Sequence, residues 1–131
     1  MEWNQSKIEN QLASEAIRLS MKIHSRLGPG LLESVYRECL AFELRKSGLT
    51  VEVEKTFPLI YEEVRLSHAY RVDLLINEKL VLELKCVDMF SDIHFAQVMT
   101  YLKLGDYRLG LLINFKAAHL RDGLKRVVNG L

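Results

Sequence analysis

The sequence predicts an α+β fold in which helices flank a mixed central sheet. The spacing of apolar residues is helical up to residue 48 and has a period of two from Thr50 onward. A further helical segment, residues 91–104, separates these strands from a nearly uninterrupted apolar run, residues 107–115, which is typical of a strand buried on both faces. Because 131 residues suffice for one hydrophobic core and not for two, we expect a single domain over residues 1–131.

Two helices are predicted before the sheet. The first runs from Gln5 to Leu27, and Gly28-Pro29-Gly30 ends it. Trp3 would pack on a neighbouring element or a partner chain, and an exposed apolar surface on this helix would indicate a homodimer. The second helix runs from Leu31 to Ser47 and ends at Gly48. Its predicted apolar stripe is Leu32, Val35, Tyr36, Cys39, Leu40 and Leu44.

The first predicted strands form a hairpin at the edge of the sheet. A strand with one polar face begins at Thr50, and Pro58 interrupts it, which indicates an edge or a bend. Glu62-Glu63 then forms the turn between residues 57–61 and residues 64–66.

Residues 70–87 predict the central pair of strands. Two apolar runs, Tyr70–Ile76 and Leu80–Val87, are separated by the polar residues Asn77-Glu78-Lys79, a pattern of antiparallel strands joined by a tight turn. A three-residue loop places Asp73 opposite Glu83, whereas a two-residue loop would send the two carboxylates to opposite faces. Opposed side chains have Cβ atoms about 5 Å apart, so these two like charges repel unless a cation lies between them.

Two interpretations of these charges are open. Lys85 lies two residues beyond Glu83 on the same face and could supply part of the missing positive charge, and Mg²⁺ or Mn²⁺ could supply the rest. Alternatively, the charges form a solvated outer face on which Arg71 and Lys85 pair with Asp73 and Glu83. The opposite, apolar face is predicted to hold Val72, Leu74, Ile76, Leu80, Leu82, Leu84 and Cys86.

The third helix has Ser91 as its N-cap and runs to about Leu104. Its predicted core stripe is Phe95, Val98, Met99 and Leu102. A separate polar stripe holds His94, Gln97 and Tyr101, which either faces solvent or lies against the sheet.

The C-terminal segment is predicted to form a last helix from about Ala118 to Val128, with Leu120, Leu124 and Val127 directed inward. A local basic cluster accompanies it, and its members either contact phosphates or complement the helix dipole. This cluster consists of Lys116, Arg121, Lys125 and Arg126.

Composition limits the classes of function. The formal net charge is +1, so no global basic field attracts nucleic acid, and any such binding needs a local patch. Cys39 and Cys86 lie in no metal-ligand spacing and predict small buried side chains in a reducing compartment. No signal peptide and no apolar run of about 20 residues is apparent, so we expect a cytoplasmic protein without membrane contact.

The segment GLLESVY, from Gly30 to Tyr36, resembles the motif of the GxxExxY family of small bacterial and archaeal proteins. Further matching blocks are YRVDLLI, LVLELKCV, AQVMTYLKL and GLLINF, so the resemblance covers most of the chain from His24 to Val128. More broadly, an Asp and a Glu-x-Lys on adjacent strands resemble the PD-(D/E)xK nuclease superfamily. This resemblance implies a restriction-endonuclease-like αβββαβ core with an additional long N-terminal helix.

The resemblance also implies a function and a set of site residues. Asp73, Glu83 and Glu33 would be ligands of Mg²⁺ or Mn²⁺, and Lys85 would orient or activate the water that attacks a phosphodiester bond of DNA or RNA. Gln97, Tyr101 and Tyr36 would line the cleft. Val72 stands where the superfamily usually has a proline, which removes no ligand.

Two other functions remain open from the sequence. A catalytically silent binding or assembly module could retain the same fold, because fold does not determine activity. A metal-dependent site for a small phosphorylated ligand is a third interpretation.

Overall fold

A computed structural model describes residues 5–131, and Trp3 lies outside this range. Within these residues the chain forms a five-stranded sheet in the order β1-β2-β3-β4-β5, in which only the pair β3–β4 is parallel. The mixed sheet with flanking helices confirms the predicted α+β fold class. The elements are α1 (Gln5–Leu27), α2 (Glu33–Lys46), β1 (Val51–Tyr61), β2 (Val64–Ile76), β3 (Leu80–Lys85), α3 (Asp92–Gly105), β4 (Leu109–Asn114), a 3₁₀ turn (Leu120–Gly123) and β5 (Leu124–Val128).

The sheet has a hydrophobic cluster on each face. One cluster joins β2, β3 and β4 to α1 and α2 through residues such as Leu74 and Leu82. The other joins the opposite face to α3 through residues such as Leu75 and Val81. Alternate strand residues therefore serve two different layers, which explains why β3 and β4 are apolar on both faces.

Val72 departs from the predicted alternation. It was expected on the face of Leu74, but it packs in the α3-side cluster with Phe57 and Tyr70. The change of face occurs beside Glu54, which lies opposite Asp73 in the β1–β2 register and has a left-handed φ of 51°. This backbone irregularity interrupts regular pleating at the point where the strands approach the carboxylates.

Local signals placed the ends of α1 and the turn of the edge hairpin correctly. α1 has the predicted bounds, and Gly28 at φ 74° ends it by donating its N–H to the carbonyl of His24. Pro58 lies at the register shift of the edge strand β1, and Glu62 and Glu63 form the predicted turn. Unlike the prediction, β2 is one continuous strand from Val64 to Ile76.

The start of α2 differs from the prediction. Leu32 is the N-cap, with extended dihedral angles (φ −69°, ψ 149°), and its side chain is 74% exposed. Because Leu32 precedes the helix, it cannot belong to the buried stripe, and Val35 is also exposed. Tyr36 begins the buried face instead.

The predicted C-terminal helix is wrong. Residues 120–123 form a 3₁₀ turn, and β5 pairs antiparallel with β4. Gly123 packs tightly on β4: a Cβ atom there would lie 2.7 Å from the carbonyl oxygen of Asn114. The free edge of β4 offers hydrogen bonds to residues 124–128, and this long-range pairing outweighs a helical spacing of apolar residues.

Candidate active site

The register of the β2–β3 hairpin places Asp73 opposite Glu83, as predicted. The loop has three residues, and the paired positions are Ile76–Leu80, Leu75–Val81 and Leu74–Leu82. The next position in this register joins Asp73 and Glu83. Backbone pairing between the strands stops there, so both carboxylates lie where β2 and β3 begin to separate.

Each carboxylate accepts a hydrogen bond from a backbone amide of the opposite strand. The N–H of Asp73 donates to Glu83 Oε1 at 2.9 Å, and the N–H of Leu84 donates to Asp73 Oδ2 at 2.9 Å. These two bonds continue the connection between the strands after the regular ladder has ended. They also fix the orientation of one oxygen of each carboxylate.

Both carboxylates are buried, and this strongly affects Glu83. Its side chain is 3% exposed and that of Asp73 is 8% exposed. Burial, followed by repulsion from the Asp73 carboxylate, raises the pKa of Glu83 to about 8, while the Asp73 N–H and Lys85 act in the opposite direction. Without a further cation, the pair therefore tends to keep a proton at neutral pH.

The solvated-face alternative does not agree with these contacts. Arg71 pairs with Glu54, at 3.7 Å, instead of Asp73. The amine of Lys85 has no carboxylate oxygen within 4.0 Å among the side chains of residues 8–131. Lys85 is half-buried at the end of β3 and remains close enough to favour the charged form of Glu83. Its charge thus acts on Glu83 without being neutralised by a direct ion pair.

Glu33 approaches the carboxylates from the first turn of α2. Burial raises its pKa, repulsion from Asp73 raises it further, and Lys85 and Arg37 lower it. Glu33 therefore shares the electrostatic environment of Asp73 and Lys85, although α2 packs on the opposite face of the sheet from α3. Its role as a metal ligand stays a prediction.

Tyr101 and Gln97 approach from α3. Burial raises the pKa of Tyr101, and the carboxylates of Glu83 and Asp73 raise it further, whereas a hydrogen bond with Gln97 lowers it. Tyr101 also stacks on Tyr70, with ring centroids 5.0 Å apart. The predicted polar stripe thus faces the sheet at these two positions. His94 instead caps the helix by accepting the N–H of Ser91 at 3.0 Å.

Tyr36 does not line an open cleft, contrary to the prediction. Its side chain is fully buried and stacks on Phe115, with ring centroids 4.5 Å apart. Its hydroxyl group donates to the carbonyl of Gly28 and accepts the N–H of Leu31. Tyr36 therefore fixes the loop between α1 and α2, and this loop sets the position of Glu33 two residues later.

The four basic residues near the C-terminus do not form one surface. Lys116 pairs with Asp88 at 2.6 Å, and Arg126 donates to the side-chain oxygen of Asn10 on α1. Lys125 is adjacent to Arg126 in β5 and so points to the other side of the sheet. Arg121 lies on the 3₁₀ turn. Their role as phosphate contacts stays a prediction.

Asn114 is a buried polar residue beside the candidate site that the sequence did not reveal. It ends β4, directly beside Lys85 in the parallel register, and its side chain is 5% exposed. A polar residue near the end of the apolar run 107–115 was the available signal, but only the pairing of β4 with β3 shows which residue it adjoins.

The donor set suits a hard divalent cation. Among the side chains of residues 8–131, no group of three or more His, Cys, Asp or Glu residues is arranged to hold a metal ion. Asp73 and Glu83 provide two carboxylates, each with one oxygen already oriented by the backbone. Mg²⁺ usually binds to one or two carboxylates and completes its coordination with water and substrate phosphates, so this pair fits it.

Comparison with known proteins identifies the superfamily and the fold of this chain. A family model described as the PD-(D/E)XK nuclease superfamily matches residues 10–127, so the chain belongs to this superfamily. The crystal structure of SSO0001 is similar in fold, with a TM-score of 0.57 at 18% sequence identity. The match covers 97% of this chain and 62% of that chain, so this chain spans about three fifths of its length. No curated protein matched this chain.

The narrower resemblance to the GxxExxY family stays a prediction.

Within residues 5–131, none of the helices combines the length and the apolar character that crossing a bilayer requires.

Proposed function

We propose that the protein is a Mg²⁺-dependent nuclease that hydrolyses phosphodiester bonds of DNA or RNA. The observation that supports this most directly is the buried pair Asp73 and Glu83, opposed across two strands and oriented by backbone amides. Two like charges in such a place are costly unless a cation joins them. Membership of the nuclease superfamily adds support for a nucleic acid substrate.

We assign each residue of the site one role in this reaction. Asp73 and Glu83 would hold the metal ion, and Glu33, which forms no three-residue metal-binding group with them, would contact it through water. When bound, Mg²⁺ supplies Lewis-acid polarisation of the phosphoryl oxygen and a lower pKa of the attacking water. Lys85 would place its ammonium group where negative charge develops on the phosphate and would orient the water. Gln97 and Tyr101 would line the cleft on the α3 side.

Metal binding is the first test of this function. We expect Mn²⁺ to bind to the wild type in isothermal titration and to bind at least about tenfold more weakly to Asp73→Asn. The asparagine keeps an oxygen that can accept the N–H of Leu84, so the substitution removes the charge with little change of shape. Equal affinity of the two proteins would remove Asp73 from the metal site.

Cleavage is the second test. The wild type is incubated with end-labelled single-stranded and double-stranded DNA and RNA, with Mg²⁺ and with EDTA. We expect Mg²⁺-dependent cleavage of at least one of these substrates. Metal binding without cleavage of any of them would contradict the nuclease proposal and favour a silent nuclease-fold module or a site for a small phosphorylated ligand.

A further inference from the structure

The side chain of Asn114 continues the pairing of β3 and β4 after both strands have ended. The last paired position joins Lys85 to Asn114, and the N–H of Phe115 then donates to the carbonyl of Lys85 at 2.9 Å. Beyond it, Asn114 Nδ2 donates to the carbonyl of Val87 at 2.7 Å, and the N–H of Val87 donates to Asn114 Oδ1 at 3.1 Å. The carboxamide thus bonds to both polar backbone groups of one residue, as a peptide group of a neighbouring strand would.

The carboxamide itself is held in one orientation. Its Oδ1 accepts a second N–H, that of Lys116, at 3.1 Å. Two N–H donors on one side and a carbonyl acceptor on the other define which atom is oxygen and which is nitrogen. Gly123 closes the site, because a Cβ atom there would lie 3.0 Å from Asn114 Cβ. A larger residue at position 123 would have to displace Asn114.

This connection affects the segment that carries Lys85. Residues Cys86 and Val87 follow β3 and lie outside its ladder. The amine of Lys85 has no ion pair within 4.0 Å among the side chains of residues 8–131, so no partner there fixes its direction. The backbone on both sides of the residue therefore sets where the Lys85 side chain starts and which region its amine can reach. Asp88 and Lys116 also connect the two loops, but both are exposed, and exposed pairs contribute little.

We propose that Asn114 is a positioning residue for Lys85, holding the end of β3 so that the amine is directed to the carboxylate pair. This role rests on the proposed nuclease function, in which Lys85 acts on the phosphate. Outer-shell partners that orient metal ligands typically cost about 10- to 100-fold in affinity or activity when they are mutated, and we expect a loss of the same order for a residue that positions Lys85. Asn114 would therefore affect turnover without taking part in metal binding.

A double-mutant cycle tests this role. We expect Asn114→Ala to lower kcat about 10- to 100-fold, with KM and Mn²⁺ affinity unchanged within about twofold. In a Lys85→Met background, the same substitution should change the residual kcat by less than about twofold, because no amine remains to be positioned. An equal loss in both backgrounds, or no loss in the wild-type background, would overturn the proposal.

Two further variants separate positioning from general loss of stability. Asn114→Ser is a milder change, which can replace one hydrogen bond but cannot span both backbone groups of Val87, and it should show a smaller loss of kcat. Asn129→Ala is the matched control, because Asn129 Nδ2 donates to the carbonyl of Tyr107 at 2.9 Å, at the opposite end of β4. The control should lower stability but leave kcat within about twofold. A loss of kcat in the control equal to that of Asn114→Ala would overturn the proposal.

The dynamics of the segment can be measured even if the wild type cleaves nothing. Absence of cleavage would contradict the nuclease function, but ¹⁵N relaxation of the amides of residues 85–87 still reports how firmly Asn114 holds them. We expect order parameters near those of rigid backbone in the wild type, about 0.85, and clearly lower values in Asn114→Ser. Unchanged order parameters would overturn the positioning role independently of catalysis.

Discussion

Two regions of the molecule bury carboxylates in different ways. Glu9 on α1 is 2% exposed, and neither of its oxygens has a hydrogen-bond partner among residues 8–131. It lines a cavity of about 80 Å³ together with Lys79 and Arg108, at the far end of the sheet from Lys85. Asp73 and Glu83 are buried to a similar degree, but they face each other, and backbone amides fix both of them.

The difference shows that burial alone does not define a functional site. The cavity of Glu9 is lined by two cationic side chains, Lys79 and Arg108, and by two acidic ones, Glu78 and Asp106, and the space is sufficient for water. Asp73 and Glu83 instead concentrate negative charge in fixed positions, with Lys85 as the nearby cation. The pair near Lys85 is therefore the proposed cation site, whereas Glu9 lies among side chains of both signs.

The largest expected effect is a loss of cleavage rate when a carboxylate of the Asp73–Glu83 pair is neutralised, which neutralising Glu9 should not cause. Glu83→Gln should lower the rate of Mg²⁺-dependent cleavage by about 10³-fold or more, about 4 kcal/mol of activation free energy, because metal positioning fails. The glutamine can still accept the N–H of Asp73, so the strands should remain in place. Single-turnover cleavage measures the effect.

Glu9→Gln is the matched control, since it makes the same chemical change at an equally buried site outside the carboxylate pair. It should retain the wild-type rate. Equal losses in the two variants would show that buried charge supports the fold generally, and the distinction between the two regions would fail.

A second expected effect concerns pH. Burial and Asp73 raise the pKa of Glu83 to about 8, above the ordinary value of 4.5 that applies in the unfolded chain. The folded protein therefore binds the proton more tightly than the unfolded chain. This contribution to stability is fully present below about pH 4.5 and is lost as the pH rises through about 8.

Denaturant unfolding of the metal-free protein from pH 5 to pH 9 measures this effect. The free energy of unfolding should fall over the interval in the wild type, and the fall should be smaller in Glu83→Gln. Mn²⁺ binding at pH 7 should also release protons, which titrations in buffers of different ionisation enthalpy detect. Parallel pH profiles for the wild type and Glu83→Gln would contradict the assignment of the raised pKa to Glu83.

The sequence predicted those parts of the site that depend on local spacing. The length of the Asn77–Lys79 loop determines the register, and the register determines that Asp73 and Glu83 meet. The bounds of α1 followed from its apolar period and from the glycine that ends it. Such features arise within one hairpin or one helix, so no distant contact can change them easily.

The features that sequence reasoning missed depend on distant contacts. Leu120, Leu124 and Val127 have a helical spacing, but residues 124–128 pair with the edge of β4 and form a strand. The role of Asn114 arises only because a parallel crossover through α3 brings β4 beside β3. Val72 changes face beside the irregular backbone of Glu54. No local pattern in the chain encodes these partners.

The smallest expected effect tests the isolated carboxylate directly. Glu9→Gln should raise the free energy of unfolding by up to about 1 kcal/mol, because a neutral amide is easier to bury and can also donate hydrogen bonds. For a chain of this size, that corresponds to a rise in Tm of about 3 to 5 °C. Lys79 and Arg108 in the same cavity already offset part of the charge, which is why the expected gain is small. Glu38→Gln, at an exposed position on α2, should change Tm by less than about 2 °C. A clear loss of stability in Glu9→Gln would mean that the Glu9 carboxylate is paired with a cationic side chain in its cavity. The two regions would then differ in the kind of cation that they bind: a side chain at Glu9, and an added metal ion at Asp73 and Glu83.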